Sequence, residues 1–347
     1  MRLANSPLLR TLGLCAFAFL IGGTSAYAQE QQPTEQQKSQ QPAKPVQISE
    51  GERQALKKIQ DAADLAAKLQ AAGEYVKKYP KSSKRGEVVG YLAGEIAKVT
   101  DSAQQTAHAE GFLAVFTEPA EAGMMTPFLI DAYIKAKRID DAFRLATSHL
   151  EKNPGDVQML TQMSLIGVDQ IKAQNPKFIQ QSQQFGLKAI ELIEADRRPE
   201  AMDVARWGEY KTRWLPQLYQ SMGLVAIVTQ KPDEAKARLE KAAAINANDA
   251  VTFLYLGSLL NQEYQQLAEQ HKSAGPGPMK DEMLKQAQAK MDEVIQIYAR
   301  VVALSEGNPQ LQRVSEQVMQ DLTAYYKYRH NGSTDGLQEV IAKYKKQ

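Results

Sequence analysis

The chain has 347 residues, with 42 basic and 40 acidic side chains and a single cysteine, Cys15. A charge balance this close to zero removes the electrostatic case for nucleic acid, whose phosphates call for a clear basic excess. One thiol excludes a disulfide within the chain and a zinc site built on several cysteines.

Arg2 and Arg10 flank an apolar run from Thr11 to Ile21 that leads to Ala26-Tyr27-Ala28, the pattern of a secretory signal with a small-residue cleavage site. The run is about half the roughly 20 residues needed to span a bilayer, and no later segment reaches that length. Residues 1–28 therefore read as a cleaved signal. The mature chain has no transmembrane segment, and its destination is the periplasm or the medium. Cleavage after Ala28 removes Cys15, so no Cys nucleophile remains. It also removes two arginines and no acid, which brings the basic residues level with the 40 acidic ones. Residues 29–48 are rich in Gln and Pro without apolar period and read as a disordered leader.

Helical pattern starts at Ser49, where Ser49 and Glu52 have capping-box spacing. Ala55, Leu56, Ile59, Leu65, Ala66 and Leu69 recur at helical intervals, with a break near Asp61 that divides them between two helices. The second ends in Tyr79-Pro80-Lys81-Ser82. Val88, Val89, Leu92 and Ile96 predict the next helix, answered after Asp101 by Ala103, Ala107, Phe112 and Phe116 until Pro119 stops it. From Gly123 a register sets in with Leu129, Tyr133, Ala142, Ala146 and Pro154. Val157–Ala173 and Lys177–Glu194 predict a further pair around Asn175-Pro176, and Met202–Trp214 an extra helix or a lengthened one.

From Pro216 to Gly257 the register is clearest. Numbered from Pro216, large residues fall at 4, 7 and 24 (Tyr219, Met222, Leu239) and small ones at 8, 20 and 27 (Gly223, Ala235, Ala242), with Lys231-Pro232-Asp233 as the turn and Asp233 as its cap. Small residues at those places let two antiparallel helices approach to about 8–10 Å. The next unit opens with Phe253, Leu256, Gly257 and Leu260. This stretch resembles a tetratricopeptide repeat (TPR), as does Gly123–Pro154, while Tyr79–Ser82 is similar to a turn of TPR-like proteins of the bacterial envelope. The resemblance implies an all-α, TPR-like superhelix of about six or seven antiparallel helix pairs over 49–347. Its clearest repeats are 123–156, 216–249 and 250–308, the last carrying a long hairpin insertion at 261–290. A final pair, Pro309–Arg329 and Thr334–Lys346, closes the array.

Catalytic motifs are missing from the pattern. His108-Ala109-Glu110 matches the start of a zinc-deaminase signature but lacks the later cysteines, and no HExxH, SxxK, GxSxG or P-loop sequence occurs. His108, His149, His271 and His330 fall on separate segments, which argues against a shared metal. Lys77, Lys78, Lys81, Lys84 and Arg85 read as a solvated turn. Trp207 and Trp214, at i and i+7, read as core in preference to a ligand platform. The expectation is therefore no catalytic residue, no metal and no cofactor.

TPR proteins that bind acidic peptide termini use a Lys/Asn clamp, and the matching positions here do not hold it. By the same resemblance, the groove-facing polar positions are Asp131, Lys135, Gln220, Ser258, Asn261 and Gln262, beside Ile134, Leu224, Ile227 and Val228. Such a mixed surface suits a peptide or partner helix. The chain thus reads as a non-enzymatic protein–protein interaction scaffold with partners in the cell envelope or a secreted complex. The alternatives are a small-molecule or glycan-binding solenoid around Trp207, Tyr210 and Trp214, and an enzyme of unrecognised type. The hairpin 258–293 reads as a recognition arm.

Overall fold

The computed structural model describes residues 48–345, so the signal, nearly all of the leader and Lys346 lie outside the described residues. It is all-α, with fifteen helices and one 3-10 turn and no strand among the described residues. None of these helices is long and apolar enough to cross a membrane. The helices pack as neighbouring pairs within two compact units, residues 48–154 and 155–345.

The first unit holds α1 (Glu50–Asp61), α2 (Leu65–Lys78), α3 (Arg85–Ala97), α4 (Ser102–Val115), the single turn α5 (Pro119–Ala122), α6 (Thr126–Lys135) and α7 (Ile139–Lys152). Its starts follow side-chain capping. Ser49 accepts from the Glu52 amide at 3.2 Å, and Asp64 and Asp101 each accept at 2.8 Å from the amide three residues on. These bonds satisfy amides that a helix start otherwise leaves free. The Tyr79–Ser82 turn has a structural use: the Tyr75 hydroxyl is 3.0 Å from Glu52 and 2.6 Å from Ser82, and Ser82 also bonds Glu52. That ties the nearly buried Glu52 carboxylate of α1 to the end of α2, and gives a buried charge the hydrogen bonds it needs.

The second unit holds α8 (Val157–Lys172), a 3-10 turn (Pro176–Phe178), α9 (Ile179–Glu194), α10 (Val204–Val228), α11 (Pro232–Ile245), α12 (Ala250–Ser273), α13 (Pro278–Ser305), α14 (Gln312–Arg329) and α15 (Leu337–Ala342). Close crossings are made by small residues. A Cβ on Gly223 would lie 2.6 Å from Leu239 Cγ, one on Gly257 2.8 Å from Tyr298 Cε1, and Ala235 is fully buried. Where α8 meets α9, Ser164 and Ser182 each donate to the other's carbonyl, at 3.0 and 2.7 Å.

Of the two expectations for Met202–Trp214, an extra helix or a lengthened one, the structure has the second: α10 starts at Val204 and runs through Pro216 as one 25-residue element. Tertiary contacts override the proline, whose missing N–H leaves one ladder bond unmade. Asp233 does not cap α11. Lys231 is the N-cap position, and Asp233 lies in the first turn, where a carboxylate still favours the helix dipole. The closing segment expected over Thr334–Lys346 is helical only from Leu337 to Ala342.

Helix endings are of two kinds. The helices α2, α4, α7 and α11 stop at Tyr79, Phe116, Asn153 and Asn246, at φ between −105° and −129°. The helices α6, α8, α9, α10 and α14 end instead with a left-handed Lys137, Gln174, Asp196, Gln230 and Asn331. Each is followed by the amide-to-carbonyl bond of a Schellman motif, as from Lys231 to Ala226 at 2.8 Å.

Candidate functional site

In the first unit, α6 packs against α4, yet the start of α4 and the end of α6 leave an open groove of about 360 Å³. Its floor is small and apolar: Ala103 and Ala107 from α4, Phe128, Ala132 and Ala136 from α6 and the turn after it. Its rim carries Glu110, Asp131, Lys135 and Arg138. Phe128, Asp131, Ala132 and Lys135 are three and four residues apart, which places them on one helix face.

The rim is electrostatically layered. At one end the Tyr133 hydroxyl donates to Glu110 Oε1 at 2.7 Å, and Arg138 contacts the same oxygen at 2.9 Å and Asp141 at 2.7 Å. The Arg138 guanidinium also lies 4.4 Å from the Tyr133 ring centroid. Burial, and then the neighbouring Glu110 carboxylate, push the Tyr133 hydroxyl up to about 12. At the other end Lys135 meets Asp131 at 3.5 Å with both side chains half-exposed or more. An exposed pair of this kind contributes about 0.3–0.5 kcal/mol and can be exchanged for a partner's charges at little cost.

The other candidates lie in the second unit. Gln220 on α10 bonds Thr252 at 2.9 Å and also Asp249, joining it to the start of α12. Ser258 is half-buried and Gln262 exposed. Asn261 is 6% exposed and accepts from the Tyr325 hydroxyl at 2.8 Å, so it serves packing between α12 and α14. The structure therefore joins Asp131 and Lys135 in one groove and does not gather the remaining four there. Sequence reasoning missed Glu110, Phe128 and Arg138. The i, i+3, i+4, i+7 spacing from Phe128 to Lys135 carried a signal for one face, but no pattern linked Glu110 to Arg138 across two helices.

Of the aromatic cluster on α10, Trp207 is core and Tyr210 and Trp214 are half-buried. Trp207 is 2% exposed and donates to Asp196 at 2.7 Å, and its ring is stacked on Tyr210 at 5.5 Å and 12°. The Tyr210 hydroxyl lies 2.7 Å from Thr161, and burial pushes it well above the usual phenol range. One face of Trp207 and one of Tyr210 are thus taken by each other, while the Trp214 ring lies tilted 6.3 Å from Tyr210 with the Arg213 guanidinium 4.6 Å from its centroid.

His330 stacks on Tyr326 at 3.8 Å, and no group of three or more His, Cys, Asp or Glu side chains is placed to hold a metal among the described residues. No protein-family model matches the chain, and no curated protein matches it.

Proposed function

We propose that the chain is a non-enzymatic protein–protein interaction scaffold of TPR-like helix pairs, exported by its N-terminal signal and acting in a bacterial envelope or secreted complex. The observation that carries this reading is the groove between α4 and α6. Its apolar floor takes a side chain of a peptide or helix, and its rim offers charges of both signs with Lys135 80% exposed. Neighbouring helix pairs with small residues at their crossings support the repeat reading.

Crosslinking in intact cells, followed by affinity purification and mass spectrometry, tests the proposal with Ala107→Trp, which fills the groove from an exposed position. Loss of a crosslinked partner from that variant, with helical content intact, is the expected result. Retention of every partner at parental level would remove the groove as a protein-binding surface. A second reading, small-molecule binding, draws on the groove's volume of about 360 Å³, at the lower end of ligand sites. It predicts that Ala107→Trp leaves the protein partners unchanged while abolishing a metabolite that co-purifies with the parent.

A further inference from the structure

The short helix α15 departs from the pairing seen elsewhere in its unit. In α10/α11 and α12/α13 the second helix packs on the first, whereas α15 packs chiefly on α13, two helices back. It has 6 residues against 14 in α11, too few to be stable without its seat. The connection from α14 contains Gly332 and Gly336 at φ 91° and 83°, conformations in which side chains are rare.

The contacts of this segment read as those of a docked ligand. Leu337 and Ile341 are 3% and 4% exposed, with Val340 half-buried between them. Tyr344 follows at i+7: its hydroxyl donates to Gln296 Oε1 at 3.0 Å, and its ring centroid is 5.6 Å from the Arg300 guanidinium, which itself lies 3.8 Å from the Phe253 ring. Lys345 completes the set with an ion pair to Glu306 at 2.8 Å. Apolar anchors at i, i+3, i+4 and i+7 are the means by which an amphipathic helix lies in a groove.

We infer that the face of α13 beneath α15 is a helix-binding seat occupied in cis by the chain's own segment Leu337–Lys345, and that it takes a partner helix with the same anchors: aliphatic at i, i+3 and i+4, aromatic at i+7, basic at i+8. This rests on the scaffold reading and names a second surface for it. The occupant's pattern is read from the seat: the buried positions of Leu337 and Ile341 take aliphatic side chains, the Arg300–Phe253 stack accepts a ring, and Glu306 favours a basic residue. A seven-residue link holds the cis segment at an effective concentration on the order of millimolar, so a trans helix gains access only when the segment is released.

The test uses the full chain and its own segment as probe. A fluorescent peptide of residues 334–345 is titrated into the parent and into Leu337→Asp/Ile341→Asp, whose resident segment can no longer dock. At least tenfold tighter binding to the variant is expected, lost again when the peptide itself carries Ile341→Asp. Equal binding to both chains, or none to a variant of parental helicity, overturns the inference. Hydrogen exchange on the unmodified parent gives an answer independent of the variant's folding. Amides of α15 should exchange at least tenfold faster than those of α13, and matching protection makes α15 an integral part of the core and ends the idea. Neither measurement involves a cellular partner, so failure here leaves the groove between α4 and α6 as it stands.

Discussion

Gly257 lies where α12 crosses α13, and the space above its Cα is already filled by the Tyr298 ring. Gly257→Leu has nowhere to put its side chain without moving that ring, and should cost about 1–3 kcal/mol. Lys81→Ala, on the exposed turn after α2, should cost almost nothing. Equal melting temperatures for the two variants would contradict the crossing. The same tyrosine offers a test of opposite sign. Its hydroxyl is buried and finds no hydrogen-bond partner, and burying a hydroxyl without one costs about 1–3 kcal/mol. Tyr298→Phe removes that cost and keeps the ring, so it should raise stability by about 1 kcal/mol, or ~2–4 °C for a unit of this size. A lower melting temperature would show that the hydroxyl is satisfied in solution. Gly223, Gly257 and Ala235 were legible because a close crossing imposes a steric rule at fixed sequence spacing. The burial of Asn261 was not, since it depends on Tyr325, 64 residues away.

At the scale of elements, the left-handed residue that ends α10 is a point of stored strain. Gln230 sits at φ 58°, a region costing a side chain about 1 kcal/mol that glycine avoids. Gln230→Gly should therefore stabilise by up to about 1 kcal/mol, while Gln230→Val, branched at Cβ, should destabilise. If both shift the denaturation midpoint in the same direction, the Schellman geometry is not what ends the helix. The long hairpin gives a second test. At 24 and 28 residues, α12 and α13 extend for about 36 and 42 Å. The end of α14 meets them at Tyr264, Gln265 and Asp292, the last through a two-point Arg329 contact at 2.7 and 2.8 Å. Replacing Ala268–Gln286 with a short Gly/Ser turn spares those contacts and should leave a helical protein melting within a few degrees of the parent. Loss of a crosslinked partner would give the arm a binding role, and full retention would leave binding to other surfaces. Both long helices and their Ser273–Pro278 break were readable from helix formers interrupted by Gly and Pro. Whether Met202–Trp214 joins the helix after it was not legible, because a proline's local propensity favours a break and packing against α8, α9 and α11 decides the continuity.

For the molecule as a whole, the tyrosines predict how stability ends at high pH. Tyr133 and Tyr325 are both pushed up to about 12 from 10.0, Tyr133 by burial and then Glu110, Tyr325 by burial and then its neighbours Tyr264 and Asp321. The unfolded chain loses these protons first, near its ordinary value, so the folded state holds more protons between the two values and its stability falls as pH rises. Below pH 10 their contribution is fully present, and it should decline through about pH 12. Lys68 and Lys241 are also raised, Lys68 chiefly by its bond to Tyr91 and Lys241 by its bond to Tyr219, and their contributions fade over a similar range. The parent's slope alone therefore does not isolate the phenols. Comparison with Tyr133→Phe and Tyr325→Phe does: each should flatten the dependence of melting temperature on pH between 10 and 12, whatever it costs at pH 7. Parallel curves for all three chains would mean that these hydroxyls ionise as freely folded as unfolded. That would undo the description of the groove's rim, because it rests on a neutral Tyr133 hydroxyl donating to Glu110 beside Arg138.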